Sequence, residues 1–273
     1  EKELIFVDPH QSWAKFFISS AIVINAPVER VWNVVTDFKT YSEYMPLVTK
    51  SSEKKVSENL VDTSFTLTIK IAVIPFSIDF SLLHHLYPYE DVIWTLSRTD
   101  EDLSVDYGKW EFFPLEGNTK TLAIYSVFTQ ARSRFLRTIL EKEPILELGF
   151  DIALSSAVPK VVKERVEGER WRASLKEAEE INLNEIKGFI ERGSLVLVSP
   201  SSPTNIFSAY IVTEGSLRDL WDVVSDYEHY HEFVPMIKKL TVKKRKDNTA
   251  IILYDINFNF LIFKKRVKYT LEH

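Results

Sequence analysis

Six histidines, a repeated aspartate and a group of aromatic side chains with polar tips carry the chemistry open to this 273-residue chain. His84 and His85 are adjacent in an apolar stretch, so in a strand they face opposite sides and cannot chelate one metal together. One of them must point inward, where an imidazole is either satisfied by its neighbours or available as a polar anchor for a bound molecule. His229 and His231 flank Tyr230 on a predicted helix, and positions two apart on a helix do not face each other. There is no HExxH, GxSxG, Walker loop or GxGxxG, and seven scattered glycines cannot build a phosphate cradle. Zero cysteines exclude disulfides, thiol nucleophiles and Cys-ligated metals. No catalytic residue, metal site or cofactor is therefore assigned. Tyr107, Trp110, Glu111 and Tyr125 lie on neighbouring predicted strands and combine rings with polar tips. Such groups suit either holding the polar end of a ligand or moving protons.

These residues need a scaffold, and the apolar periodicity supplies one. Residues 17–24 alternate as a strand, and Asn25-Ala26-Pro27 opens a helix, with Asn25 as the expected cap and Pro27 in the first turn. Val28, Val31, Trp32 and Val35 then mark one buried helix face. A short helix over Thr40–Met45 ends at Pro46. Six strands follow: 48–56, 64–73, 76–87, 91–98, 105–114 and 121–129. Phe65, Leu67, Ile69, Ile71 and Val73 share one face of the second of these. A long helix over 144–167 closes the set, started by Pro144 and ended near Gly168. Apolar residues on nearly all sides of 145–162 predict a helix covered on more than one face.

The chain repeats itself. VWNVVTDFKTYSEYMPLVTK at 31–50 aligns without gaps on LWDVVSDYEHYHEFVPMIKK at 220–239, with eight of twenty positions identical. Trp32/Trp221, Asp37/Asp226, Tyr41/Tyr230 and Pro46/Pro235 are among them. Leu4–Val7 also resembles Leu195–Val198. A period of this length is a whole domain. The reading is a complete domain over 1–168, a helical connector over 169–192, and the N-terminal half of a second domain over 193–273. In both copies the tryptophan is expected to plug the sheet end, and the aspartate to bind turn N–H groups. The missing half predicts further residues, a shortened chain, or completion by the first domain or another chain. Glu1 in place of Met predicts an upstream segment.

Trp32-x-Val34-Val35-x-Asp37-Phe38-x-x-Tyr41-x-x-Tyr44-x-Pro46 after Ala26-Pro27 resembles the signature of the START-like (Bet v 1-like, SRPBCC) superfamily. Gly108-x-Trp110-x-Phe112-x-Pro114, followed by Thr119-x-Thr121-Leu122, is similar to its later strands. The superfamily includes polyketide cyclase/dehydrase, coenzyme Q-binding and lipid-transfer types. The resemblance implies an α+β helix-grip fold, a curved antiparallel sheet wrapped around a long C-terminal helix, with a hydrophobic cavity. It implies no single activity.

The expected function is binding, and transport, of a hydrophobic small molecule: a lipid, an isoprenoid quinone or a polycyclic compound. The expected lining is Phe65, Leu67, Ile69, Phe80, Leu82, Trp94, Trp110, Tyr125, Phe150 and Leu154. An aromatase/cyclase acting through Tyr107, Glu111 or Tyr125 is the alternative. An interaction module with a filled interior is a second. A net charge of −5 argues against nucleic acid as a partner. Basic runs at Lys238–Lys246 and Lys264–Lys268, read as lying on adjacent strands, suggest an anionic membrane surface, or simply a solvated edge. No apolar run approaches the ~18–20 residues that span a bilayer, so a soluble chain, cytoplasmic or periplasmic, is expected. The sequence does not specify an oligomeric state.

Overall fold

A computed structural model describes residues 3–8, 17–71, 74–132, 144–168, 183–191, 194–200, 205–234, 237–246, 249–260 and 263–273. The chain divides into two units, 1–212 and 213–273.

In the first unit, β1 (Glu3–Asp8) and β2 (Phe17–Ile24) lead into α1 (Val28–Val35), a 3₁₀ turn (Phe38–Thr40) and α2 (Tyr41–Tyr44). The meander follows as β3 (Val48–Ser57), β4 (Leu60–Ile71), β5 (Ile74–Tyr87), β6 (Asp91–Leu96), β7 (Leu103–Leu115) and β8 (Lys120–Ala131). The long helix α3 (Pro144–Glu167) ends at Gly168, whose φ of +74° is a left-handed stop suited to glycine. Six strands and a closing helix stand where the apolar periodicity put them. Val73 and the side chain of Ile71 lie outside the described residues.

The meander pairs antiparallel throughout, and β2 joins it at β8. Register fixes which residues share the inner face. Val61, Thr63, Phe65 and Leu67 of β4 pair with His84, Leu82, Phe80 and Ile78 of β5. His84 pairs with Trp94, Trp94 with Gly108, Trp110 with Tyr125, and Ile22 with Ala123. The helix α3 lies across β2, β8 and α1. It is fastened by buried polar contacts as well as by Val162 and Val166. Lys163 Nζ donates to the Val23 carbonyl at 2.7 Å and to Glu167 Oε1 at 2.9 Å, and Ser20 Oγ donates to the Ser155 carbonyl at 2.8 Å.

Two helix-end expectations need correction. Asn25 does not cap α1: the Val28 N–H donates to Asn118 Oδ1 at 3.0 Å, from the β7–β8 turn. Asp37 makes no side-chain cap either; its carbonyl accepts from the Thr40 N–H and hydroxyl, and its carboxylate faces Lys39 at 3.7 Å. The start of α1 is thus satisfied by a group ninety residues away, and Asp37 acts through its carbonyl.

Beyond α4 (Leu183–Ile190), β9 (Ser194–Pro200) and β10 (Asn205–Tyr210) extend the same sheet to ten strands, in the order β10-β9-β1-β2-β8-β7-β6-β5-β4-β3. The similar segments 4–7 and 195–198 are thereby hydrogen-bonded to each other, with Phe6 opposite Leu195. Most of the expected connector, residues 169–182, lies outside the described residues.

The second unit holds α5 (Leu217–Ser225), α6 (Tyr230–Phe233) and an antiparallel sheet of β11 (Ile237–Lys246), β12 (Thr249–Phe260) and β13 (Phe263–Glu272). Its core is Ile237, Leu240, Ala250, Ile252, Tyr254 and Ile256, with Tyr227, Tyr230 and Val234 packed on it. Trp221 was expected to be a buried plug and is instead 67% exposed. In the first copy Trp32 meets Tyr89 and Phe112, each with ring centroids 5.8 Å away.

Candidate functional site

The site is the inner face of the first unit's sheet. Alternation along β7 puts Asp106, Gly108, Trp110 and Phe112 inward, all buried. Gly108 is required there: a Cβ would come within 2.3 Å of both Trp94 and the Ser126 carbonyl. The Trp94 indole therefore packs directly against Gly108.

Aromatic rings run across this face in unbroken contact. Phe80 meets Phe65, Phe65 stacks on Tyr41, Tyr41 meets Phe38, and Phe38 stacks on His84 at 4.2 Å. The path continues from His84 to Trp94, Tyr125, Trp110, Phe112 and Trp32. Phe65, Phe80, Leu82, Trp94 and Trp110 belong to one buried cluster, with Leu67 and Tyr125 partly buried against it. Ile69 lies in β4 at the same parity as Leu67, and Phe150 and Leu154 lie in α3; the side chains of these three fall outside the described residues.

Polar groups are set into the aromatic wall. Asp106 accepts from Trp94 Nε1 and from Thr129 Oγ1, each at 2.8 Å. Burial nevertheless pushes its carboxyl up to about 6, those two donors opposing the shift. Burial, then the Asp106 charge, raises the Tyr125 phenol far above its ordinary range. His84 is 4% exposed while His85 is exposed, so the pair does split between faces. Thr63 Oγ1 donates to the Leu82 carbonyl at 3.2 Å and lies 3.1 Å from His84 Nε2. The direction of the Thr63–His84 bond follows the imidazole tautomer. The other nitrogen, Nδ1, is buried and has no partner among the described residues. Burial, followed by neighbouring His85, pushes the imidazole down to about 3, so it is neutral at pH 7.

The expected polar quartet does not converge. Trp110 and Tyr125 face inward, with ring centroids 4.8 Å apart. Tyr107 and Glu111 sit at odd positions of β7 on the outer face, where Lys109 pairs with Glu111 at 2.8 Å and Tyr107 meets the Phe128 ring. Asp106, Thr63 and Ser20 are polar inner-face residues that sequence reasoning missed. The parity of Asp106 with Trp110 and of Thr63 with Phe65 was the available signal.

The basic runs are also rearranged. They lie on β11 and β13, which are separated by β12. Arg266 grips Asp255 through both carboxylate oxygens, and Lys268 Nζ is 3.8 Å from it. No helix among the described residues is long and apolar enough to cross a membrane.

The solved structures similar to this chain are distant ones. Human StAR-related lipid transfer protein 5 is similar at 12% identity and a TM-score of 0.49, over 62% of this chain and 83% of its own. The Zhui aromatase/cyclase from Streptomyces sp. R1128 is similar at 15% identity and a TM-score of 0.40, over 56% and 98%. The di-domain ARO/CYC StfQ from the steffimycin biosynthetic pathway is similar at 9% identity and 0.40, over 92% and 68%. No curated protein matches the sequence. Residues 24–169 match the family described as polyketide cyclase / dehydrase and lipid transport. That span runs from the end of β2 through α3, carries the inner face of β3 to β8, and is more than half of the chain. The chain thus belongs to the polyketide cyclase / dehydrase and lipid transport family, in the helix-grip form that its meander and closing helix build.

Proposed function

We propose that the first unit binds a hydrophobic small molecule between the inner face of its sheet and α3. One observation carries this reading. Tyr125, Val127, Leu96 and Leu86 lie on the inner face of interior strands, yet they are only partly buried. Side chains at the centre of a solidly packed interior lose their accessible surface; walled-in residues that keep it border a space. The wall is aromatic and aliphatic with few polar groups, the make-up of a small-molecule site. The expected lining, including Ile69, Phe150 and Leu154, is part of this proposal, as are the domain limits 1–168 and 193–273. Affinity would come from apolar burial, at roughly 25 cal/mol per Å2, offset by ordering costs.

Native mass spectrometry of the purified full chain, followed by solvent extraction, tests the reading. The expected result is a non-covalent adduct that is removed by extraction and restored by an added lipid or polycyclic compound. A bare mass that takes up none of them points instead to an interior filled by its own rings.

A second reading, cyclase-type chemistry, is favoured by Asp106, whose carboxyl is pushed up to about 6, within the range useful for proton transfer near neutral pH. It would run through Asp106, Tyr125 and His84 rather than Tyr107 and Glu111. Asp106→Asn would then abolish turnover of a polyketide-like substrate while leaving its binding intact.

A further inference from the structure

Residues 237–272 hold ten Lys and Arg against three Asp and Glu, in a chain whose net charge is −5. Register sorts these charges between the two faces of the second unit's sheet. Ala250, Ile252, Tyr254 and Ile256 of β12 face the core with Ile237 and Leu240. Alternation sends Thr249, Ile251, Leu253 and Asp255 to the other face. Opposite them stand Lys246, Lys244, Thr241 and Lys239 of β11, and Glu272, Thr270 and Lys268 of β13. Arg266 shares this face, because it grips Asp255. Lys239, Lys244, Lys246, Arg266 and Lys268 are all exposed. Asp255 is committed to Arg266 and Lys268, while Lys239, Lys244 and Lys246 have no ion pair among the described residues.

More charge stands here than an unpaired edge requires. Mixed signs guard an edge, as on β3 with Lys50, Glu53, Lys54 and Lys55; β11 carries six cations and no anion. The uncommitted cations are lysines, compact hydrated charges without the planar fork that reads a defined phosphate, and the arginine of this face is already paired. Tyr254 and Tyr269 stack on each other on the core face, so the described cationic face offers no ring for a nucleobase. Such a surface suits a broad, dense negative layer. We propose that the outer face of β11–β13 docks on an anionic phospholipid membrane, with Lys239, Lys244, Lys246 and Lys268 against the headgroups. Docking stands independently of the ligand site proposed above; it would hold the chain at the phase where hydrophobic molecules are stored.

The test is flotation of the full chain with vesicles of phosphatidylcholine and phosphatidylserine in equal parts, against phosphatidylcholine alone. Wild type is expected to float with the anionic vesicles only and to be released by high salt. A lysine near an anionic surface contributes about fivefold in affinity, so Lys239→Gln, Lys244→Gln and Lys246→Gln combined should weaken binding about a hundredfold. Lys50→Gln, Lys54→Gln and Lys55→Gln combined remove the same charge from β3 and should leave binding within about twofold of wild type. Equal flotation with both vesicles, an unaffected β11 variant, or an equal loss in the β3 variant overturns the proposal. Tighter binding to a DNA duplex than to the anionic vesicles, or a dimer in sedimentation that the β11 variant abolishes, assigns the face to another partner and also overturns it. Should the β11 variant fail to fold, acetylation of the wild-type lysines decides. Anionic vesicles are expected to shield Lys239, Lys244 and Lys246 and to leave Lys54 and Lys55 reactive; labelling unchanged by vesicles refutes the proposal.

Discussion

Helices α1 and α5 have nearly the same sequence pattern and opposite fates. Trp32 is 7% exposed and Trp221 is 67%; Val28 is 6% exposed and Leu217 is 83%. The apolar stripe is present in both. The difference lies in what covers it: α3, β7 and β8 reach α1, whereas among the described residues of its own unit α5 is accompanied by α6 and β11–β13. The amphipathic pattern therefore reports the fold a segment belongs to, and burial depends on elements far away in the chain. The helix starts make the same point. α1 has its first N–H capped by Asn118, ninety residues on. α5 carries a local capping box, in which Ser216 Oγ accepts from the Asp219 N–H and the Asp219 carboxylate accepts from the Ser216 N–H. Ser216 and Asp219 stand where the first copy has Pro27 and Arg30.

The sharpest way to break this comparison is to truncate both tryptophans. Trp32→Ala should cost about 4 kcal/mol, as a buried ring lost from a packed core does. Trp221→Ala should change stability by less than about 0.5 kcal/mol, as exposed substitutions usually do. Urea unfolding reads both, and equal losses would mean that the face of α5 is covered.

Next in size is Lys163→Met. It removes the cation that holds α3 to the Val23 carbonyl and leaves Glu167, 18% exposed, without that ion pair. A loss of about 3 kcal/mol is expected, the scale for a buried pair deprived of one partner. A neutral result in thermal unfolding would show that apolar packing alone seats the helix.

The histidines sharpen the contrast through pH. His84 is pushed down to about 3 from 6.5, so its stabilising contribution is complete above pH 6.5 and is lost as pH falls toward 3. Asp106, raised from 3.8 to about 6, acts the other way: its contribution is complete below pH 3.8 and is lost as pH rises to 6. The two oppose each other between pH 4 and 6. His84→Gln should leave the Asp106 slope alone, so stability rises relative to wild type on acidification; Asp106→Asn should steepen the acid loss. Urea midpoints at pH 4, 5, 6 and 7 read this, and parallel profiles would contradict it. His229 in the second unit is exposed, and its hydrogen bond to Asp226 raises its pKa. NMR titration should find it protonating above the ordinary histidine value while His84 stays neutral.

The smallest effects are at the caps. Asn118→Ala and Ser216→Ala should each cost about 1 kcal/mol. The first should lower stability of the first unit, and the second should fray only α5 in amide exchange.

Much of this architecture was legible before any coordinates. Period-two runs broken by Pro and Gly marked the meander, and Pro144 with Gly168 bracketed α3. The illegible parts are long-range or depend on parity. Nothing local shows that β1 pairs with β9, or that the β7–β8 turn caps α1. Tyr107 and Glu111 were grouped with Trp110 by type, although alternation sends them to the outer face. Asp106 shares the parity of Trp110 and was overlooked. For His84, the sequence established that one of two neighbours faces inward, while its unmatched nitrogen required Thr63 to be placed across β4 and β5.

The central claim is that ligand enters the first unit's interior rather than resting on exposed apolar surface. It is tested by titrating 9-phenanthrol onto wild type, Leu96→Trp and Trp221→Ala, each checked for fold by circular dichroism. The account predicts saturable one-site binding to wild type and Trp221→Ala, lost when the larger ring of Leu96→Trp fills the inner face. Binding that survives in Leu96→Trp and disappears in Trp221→Ala would place the probe on α5 and contradict the account.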